Sequence, residues 1–237
     1  MNLKVSVNTE IPSPYIEKKG GLYRLKRKLT YGFAFRLLNK YLSRKLGMEV
    51  LEIGTGSGFF LDFAHAYFPN ARFSGVEYDE RLLSESASRA PYARLVQGNA
   101  ENFDLGQGQF DLVVSFQVIE HLYNPSAMLE NVRAHLKPGG IFLVTTPNLS
   151  GFGARWMKDK WHGYRDDHVS LKGKDEWDRL IVSHGFSPLY SGSTFFSGVP
   201  VLNTLPFGIV NWLLLVAFGS LPWSVGESYV GVFRSNN

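Results

Sequence analysis

The chain has no cysteine among its 237 residues. That excludes a disulfide scaffold, a thiolate metal site and a cysteine nucleophile. Its first residues, Met1-Asn-Leu-Lys-Val-Ser-Val7, hold neither an apolar run nor a small-residue cleavage pattern. A secretory leader is therefore not expected, and a cytoplasmic domain is. Between Leu180 and Gly226 there is no Asp, Glu, Lys or Arg. The segment Leu205 to Trp223 within that stretch is nearly all apolar, but Pro206, Gly208, Asn211, Gly219 and Pro222 interrupt it. What remains uninterrupted is too short to cross a bilayer comfortably. A buried lid, a dimer surface and a membrane-surface segment stay open for it, and loops of this length are rarely idle.

What is present points to one α/β domain with elaborations at both ends. The net charge of +4 is unevenly spread: residues 1–47 carry eleven Lys or Arg against Glu10 and Glu17, or +9, which leaves −5 for the rest. In this arm Leu22, Leu25, Leu29, Phe33, Leu37 and Tyr41 recur at helical spacing. Such a basic amphipathic helix either packs on the domain with a solvated charged face or lies on anionic lipid. No recognition module accompanies the charge, so nucleic acid is not the expected partner. The divisions expected are a basic arm (1–47), a core (48–195), the apolar insertion (196–226) and a last strand and tail (227–237).

The densest local signal is Val50-Leu-Glu-Ile-Gly-Thr-Gly-Ser-Gly-Phe-Phe60. An apolar run reads as a buried strand, Phe59, Leu61, Phe63 and Ala64 as the start of a helix, and Gly54, Gly56 and Gly58 as the turn between them. Glycine there permits positive φ and lets a ligand touch bare backbone. In an open α/β sheet that turn lies at the carboxyl end of a strand, where such sheets bind ligands. No Gly-Lys-Ser/Thr follows, so this is not a P-loop, and the spacing is not Gly-x-Gly-x-x-Gly. Glu52 just before the glycines suits a cationic or zwitterionic ligand better than a pyrophosphate.

Four further strands follow in order. Ala71 to Asp79 ends in Glu77, a carboxylate able to accept from a ribose diol. Ala93 to Val96 ends in Gln97-Gly-Asn99-Ala-Glu101, and Phe110 to Phe116 ends in Gln117-Val-Ile-Glu120-His121-Leu122. A helix from Asn124-Pro125 leads through Leu136-Lys-Pro-Gly-Gly140 into a strand ending Thr145-Thr-Pro-Asn148. Ser187 to Ser193 and Tyr229 to Arg234 complete the set as an antiparallel pair.

The order of these segments, from Glu49 to Phe186, resembles the class I S-adenosylmethionine-dependent methyltransferases, most of all the branch with the ubiquinone-type O-methyltransferases. The resemblance implies a Rossmann-like, doubly wound α/β fold with a seven-stranded, mostly parallel sheet and an antiparallel last strand. It implies that Glu52, Gly54, Gly56 and Gly58 hold the methionine end of S-adenosylmethionine, Glu77 the ribose, and Asn99, Ala100 and Glu101 the adenine. Tyr78 and Phe116 complete the expected cofactor set, and S-adenosylhomocysteine is the expected product. Asn99 stands where the family usually has Asp, although an amide oxygen can still accept from the adenine amino group. The activity implied is methyl transfer to a small or lipid-linked acceptor, at oxygen by analogy. A SAM-binding partner or sensor without catalysis, at the membrane, is the first alternative. A metal-assisted RNA-end methyltransferase is the second.

A hydroxyl acceptor must lose a proton near the transition state, which makes histidine the natural base. His121 follows the fourth strand, and His168 lies in the connection after the fifth. Glu-x-x-Glu-His plus a later His would resemble a divalent-cation site, but Gln117 replaces the first carboxylate and leaves Glu120, His121 and His168. Losing one anion weakens a hard-cation site, so no divalent metal is expected. His135, at the end of a helix, is explained as a cation favourable to the dipole. Trp156, Trp161 and Tyr164 fall where the family builds its acceptor pocket and are the residues expected to line it. Arg155, Lys158, Lys160 and Arg165 nearby would favour an anionic acceptor. A peripheral contact with the inner face of a membrane is compatible with these features, and oligomeric state is not legible.

Overall fold

The computed structural model describes residues 21–42, 47–106, 108–194 and 219–236, together with Val210 and Leu213. Most of the apolar insertion and residues 1–20 and 43–46 of the basic arm lie outside the described residues. A lid, dimer or membrane role for 205–223 is therefore largely outside them as well. Among the described residues no helix is long and apolar enough to cross a membrane.

One sheet organises the chain: β1 (Glu49–Ile53), β2 (Arg72–Glu77), β3 (Arg94–Gln97), β4 (Phe110–Phe116), β5 (Leu136–Pro147), β6 (Phe186–Thr194), β7 (Ser220–Leu221) and β8 (Ser228–Ser235). Their spatial order is β3-β2-β1-β4-β5-β8-β6-β7. The first five are parallel, and β8 runs antiparallel to both β5 and β6. The seven expected strands are all present with the expected antiparallel one. The eighth, β7, adds only two residues to the outer edge of β6. After β3 the chain crosses back to place β4 on the other side of β1, so a crevice opens between the carboxyl ends of β1 and β4.

Helices cover both faces, as buried parallel strands require. Alternation along each strand feeds two cores. Val50, Leu112, Val114, Ile141 and Leu143 pack toward α1 (Gly21–Leu38) and α2 (Phe59–Tyr67). Leu51, Ile53, Val113, Phe142 and Val144 pack toward α4 (Pro125–His135) and α6 (Lys174–Ser183). Between these elements run α3 (Glu80–Arg89) and α5 (Phe152–Met157). Asn124 starts α4 by accepting from Ala127 N at 3.2 Å, with Pro125 in the first turn where its missing N–H costs nothing.

The arm helix α1 is part of the domain's packing. Its buried stripe is Tyr31, Ala34, Phe35 and Leu38, joined by Leu37. Leu37 belongs to the stripe read from the sequence, and Phe33 and Tyr41 pack partly exposed against the same core, so the inward face is wider than that stripe. The reason is aromatic: Phe35 stacks on Phe60 at 5.7 Å and meets Tyr67 at 4.6 Å and Phe68 at 5.2 Å, which turns that side of the helix inward. His135 also differs from its expected role. It is buried, its Nε2 accepts from Leu105 N at 3.0 Å, and its Nδ1 meets the Asn131 carbonyl at 2.8 Å. The ring ties α4 to the loop after β3 and is not a solvated cation at a helix end.

Candidate active site

The three glycines of the β1–α2 turn all have positive φ, 73° at Gly54, 52° at Gly56 and 76° at Gly58. Their surroundings differ. A Cβ on Gly54 would lie 2.3 Å from Val118 Cγ2, and one on Gly58 would lie 2.8 Å from Ser86 Oγ. One on Gly56 would meet nothing within 4 Å. Gly54 and Gly58 are thus required by packing, whereas Gly56 turns bare backbone toward open space.

Glu77 holds that backbone in place. Its Oε2 accepts from Gly56 N at 2.7 Å, and its Oε1 accepts from Tyr78 N at 2.9 Å and Asp79 N at 3.0 Å. The carboxylate is buried, so it joins the first two strand ends while retaining acceptor capacity toward the crevice. Gly98 N donates to the Glu77 carbonyl at 3.0 Å, which brings in β3. Asn99 Oδ1 accepts from Glu101 N at 2.9 Å, and Glu101 Oε1 accepts from Asn124 N at 2.8 Å. The amide oxygen expected to face an adenine therefore already closes a local turn, with one lone pair left. A continuous hydrogen-bonded wall runs from the glycine turn to the start of α4.

The remaining cofactor candidates are placed as follows. Glu52 is buried at the end of β1, and Ala100 is buried behind Asn99. Tyr78 stands 75% exposed beside Glu77. Phe116 ends β4, but its ring packs against Tyr31 at 5.2 Å and Phe60 at 5.0 Å, within the core beneath α1.

Across the crevice, the end of β4 makes a sharp turn. Gln117 has φ 57°, a conformation that L residues seldom adopt and that concentrates at functional sites. The turn delivers Val118 into the notch left by Gly54 and then a single 3₁₀ turn, Ile119–His121. Glu120 is fully buried; its Oε2 accepts from Thr146 Oγ1 at 3.0 Å, while Oε1 has no hydrogen-bond partner. Burial pushes its carboxyl up to about 8, offset only in part by hydrogen bonds such as that from Thr146. At neutral pH it is mostly protonated.

His121 and His168 meet edge to face, ring centroids 4.7 Å apart and 81° between planes. His168 Nδ1 lies 2.8 Å from the Gly163 carbonyl, and His121 Nδ1 lies 2.9 Å from the Asp167 carbonyl. A carbonyl only accepts, so each Nδ1 carries a proton, and in His168 the lone pair of the neutral ring sits on Nε2. Burial lowers the His168 pKa below 6.5, with the adjacent His121 acting in the same direction. Partial burial would raise the Asp167 carboxyl, but the Arg165 hydrogen bond and charge, with help from the histidines, hold it below its usual range. The result is an imidazole, His168, kept in its proton-accepting form beside a neutral acid.

Glu120, His121 and His168 each offer a ligand atom within 4.8 Å of the other two. One carboxyl and two imidazoles make a poorer set for a hard cation than the oxygen-rich shells such ions prefer. We derive no step through a metal.

In the connection after β5, the three aromatics expected to line an acceptor pocket part company. Trp161 is buried, and its Nε1–H donates to Glu227 Oε2 at 2.7 Å. Trp156 and Tyr164 are exposed, 63% and 46%. Glu227 Oε1 also accepts from Gly153 N at 2.9 Å, so this buried acid fastens the whole connection. A concavity of about 400 Å³ lined by Glu130, Arg133, Ser183, His184 and Gly185 lies before β6 and shares no residue with the crevice.

Sequence reasoning missed Val118, Thr146, Asp167 and Glu227, and it gave Gln117 no role beyond the absence of a carboxylate. Only Glu227 carried a signal, as the first charged residue after a long stretch with none.

The family described as "Methyltransferase domain" matches residues 24–191, most of the chain. The chain belongs to the methyltransferase-domain family. The chain is 37% identical over 109 residues to a protein of Mycolicibacterium smegmatis named "Probable S-adenosylmethionine-dependent methyltransferase", a match covering 46% of this chain and 42% of that one. It is 27% identical over 179 residues to the ubiquinone biosynthesis O-methyltransferase of Caulobacter vibrioides, covering 69% and 63%. In fold it matches a SAM-dependent methyltransferase of Thermotoga maritima with a TM-score of 0.63 at 19% identity, over 92% of this chain and 96% of that one. The chain spans about half the length of the curated relatives it matches first. S-adenosylmethionine is the cofactor this family uses, and the open Gly56 backbone beside Glu77 fits a nucleoside with a zwitterionic tail.

Proposed function

We propose that the protein transfers a methyl group from S-adenosylmethionine to an oxygen of a small or lipid-linked acceptor, with His168 as the base. The single observation that supports this reading is the juxtaposition at one edge of the sheet. Gly56 and Glu77 stand at the ends of β1 and β2, and the Glu120–His121–His168 group follows the end of β4. When bound, the cofactor supplies the electrophilic methyl; the protein orients it, excludes water and accepts a proton. In this account Glu77 and the turn hold the nucleoside. His168 Nε2 takes the acceptor's proton, the Gly163 carbonyl fixing its tautomer. Neutral Glu120 keeps a second negative charge away from the anion forming on the acceptor. The choice of oxygen draws on the named chemistry of the Caulobacter relative.

The test is to incubate the protein with methyl-labelled S-adenosylmethionine and fractions of the producing cell. Label appearing in an organic-soluble, base-dependent product supports the reading. Tight cofactor binding with no labelled product in any fraction supports a sensor or partner instead. A metal-assisted reaction at Glu120, His121 and His168 is the second reading, favoured by their mutual proximity. Activity that persists in excess chelator removes it.

A further inference from the structure

Phe152 and Trp156 lie one turn apart on α5, with ring centroids 6.3 Å apart and planes only 16° from parallel. Both face solvent, 57% and 63% exposed. An adjacent pair of large rings so exposed is uncommon on a protein without a use for it. The pair does not sit on a loose loop. Phe152 N donates to the Val225 carbonyl at 2.8 Å, and Gly153 N and Trp161 Nε1 both donate to the buried Glu227 carboxylate. Ala154 and Gly153 face inward, so the helix is pinned on one side and presents its rings on the other. Val225, 39% exposed, extends the apolar strip.

The remaining exposed residues of this segment are Arg155, Lys158, Asp159 and Lys160, three cations against one acid. Protein-binding surfaces are depleted in lysine at their centres, which argues against a protein partner here. Aromatic rings on a rigid projecting element, bordered by Lys and Arg, match instead the headgroup region of an anionic bilayer. There the rings sit at headgroup depth and the cations meet lipid phosphates.

We propose that the α5 face is where the protein sits on an anionic membrane, Phe152 and Trp156 entering between headgroups while Arg155, Lys158 and Lys160 contact lipid phosphates. This deepens the lipid-linked part of the proposed function and rests on it for its purpose: the same connection carries His168, so docking would bring the base to a lipid-borne acceptor. The binding itself needs no acceptor and can be measured alone.

The experiment is flotation of the full chain with vesicles of phosphatidylglycerol mixed into phosphatidylcholine, and with phosphatidylcholine alone, at low and high salt. The expected result is binding to the anionic vesicles that weakens with salt. The double variant Phe152→Ser/Trp156→Ser and the double variant Lys158→Glu/Lys160→Glu should each lower it by about tenfold, with S-adenosylhomocysteine affinity retained as proof of folding. A chain that ignores anionic vesicles, or one whose binding survives both double variants because residues 1–47 provide it, overturns the inference. If vesicle binding behaves as expected but only water-soluble fractions are methylated, the lipid-linked reading fails and the membrane surface stands. If lipid fractions are methylated without vesicle binding, the reverse holds.

Discussion

Alanine at Gly56 tests whether the glycine that opens onto free space is the one that faces the proposed ligand. All three positions have positive φ, so an alanine at any of them costs about 1–2 kcal/mol for the left-handed backbone. At Gly56 that is the whole penalty, because the new Cβ has no atom within 4 Å. Against a total stability of about 5–15 kcal/mol the variant stays folded. Its melting temperature should fall by roughly 2–8 °C for a chain of this size. At Gly54 the Cβ would sit 2.3 Å from Val118 Cγ2, which adds about 1–3 kcal/mol of overpacking and a correspondingly larger drop. Cofactor affinity should follow the opposite order of cause. The Gly56 methyl fills the space the ligand needs, so S-adenosylhomocysteine should bind at least about tenfold more weakly, or about 1.4 kcal/mol, in a protein that remains folded. Thermal melts and calorimetric titration of both variants are sufficient. A Gly56→Ala protein that binds within twofold of the parent, or that loses as much stability as Gly54→Ala, refutes the assignment.

Three other outcomes are expected. The Glu120 carboxyl is raised from 4.5 to about 8 in the folded protein, so the folded state holds the extra proton between those values; stability is greatest below the lower one and declines as pH rises through the higher. Glu120→Gln should flatten that decline in melts taken from pH 5 to 8.5, and an unchanged slope counts against the buried acid. His168→Ala should lower kcat by about 10²–10⁴ with cofactor affinity intact; in the parent the acidic limb of kcat/KM should lie below pH 6.5, since His168 is lowered. Glu227→Gln sets an NH2 donor against either the Trp161 or the Gly153 N–H and should destabilise the protein by about 1.5–3 kcal/mol with a change in tryptophan near-UV signal. A silent substitution there means the carboxylate does not anchor the connection.

The strands were legible because buried parallel strands are short continuous apolar runs between turn residues. Phe110–Phe116 stands where its pattern places it, and β6 and β8 pair as their spacing suggests. The full width of α1's inward face was not legible, since Phe35 is held by aromatics of α2 that periodicity within α1 does not contain. The turn glycines look alike in sequence. Only Val118 and Ser86, brought in from other elements, distinguish Gly54 and Gly58 from Gly56. The same holds for the tryptophans: Trp161 is drawn inward by Glu227, 66 residues on, while Trp156 stays in solvent. His121 and His168 were nameable from their places after strands. Their edge-to-face meeting, and the protonated acid beside them, are products of the fold.

The most direct measurement is a crystal structure of the protein with S-adenosylhomocysteine. The account predicts the ribose within hydrogen-bond distance of Glu77, the amino-acid end over the backbone of Gly56 and the sulfur turned toward His168. A nucleoside bound anywhere else, or a crevice that stays empty at saturating ligand, contradicts it.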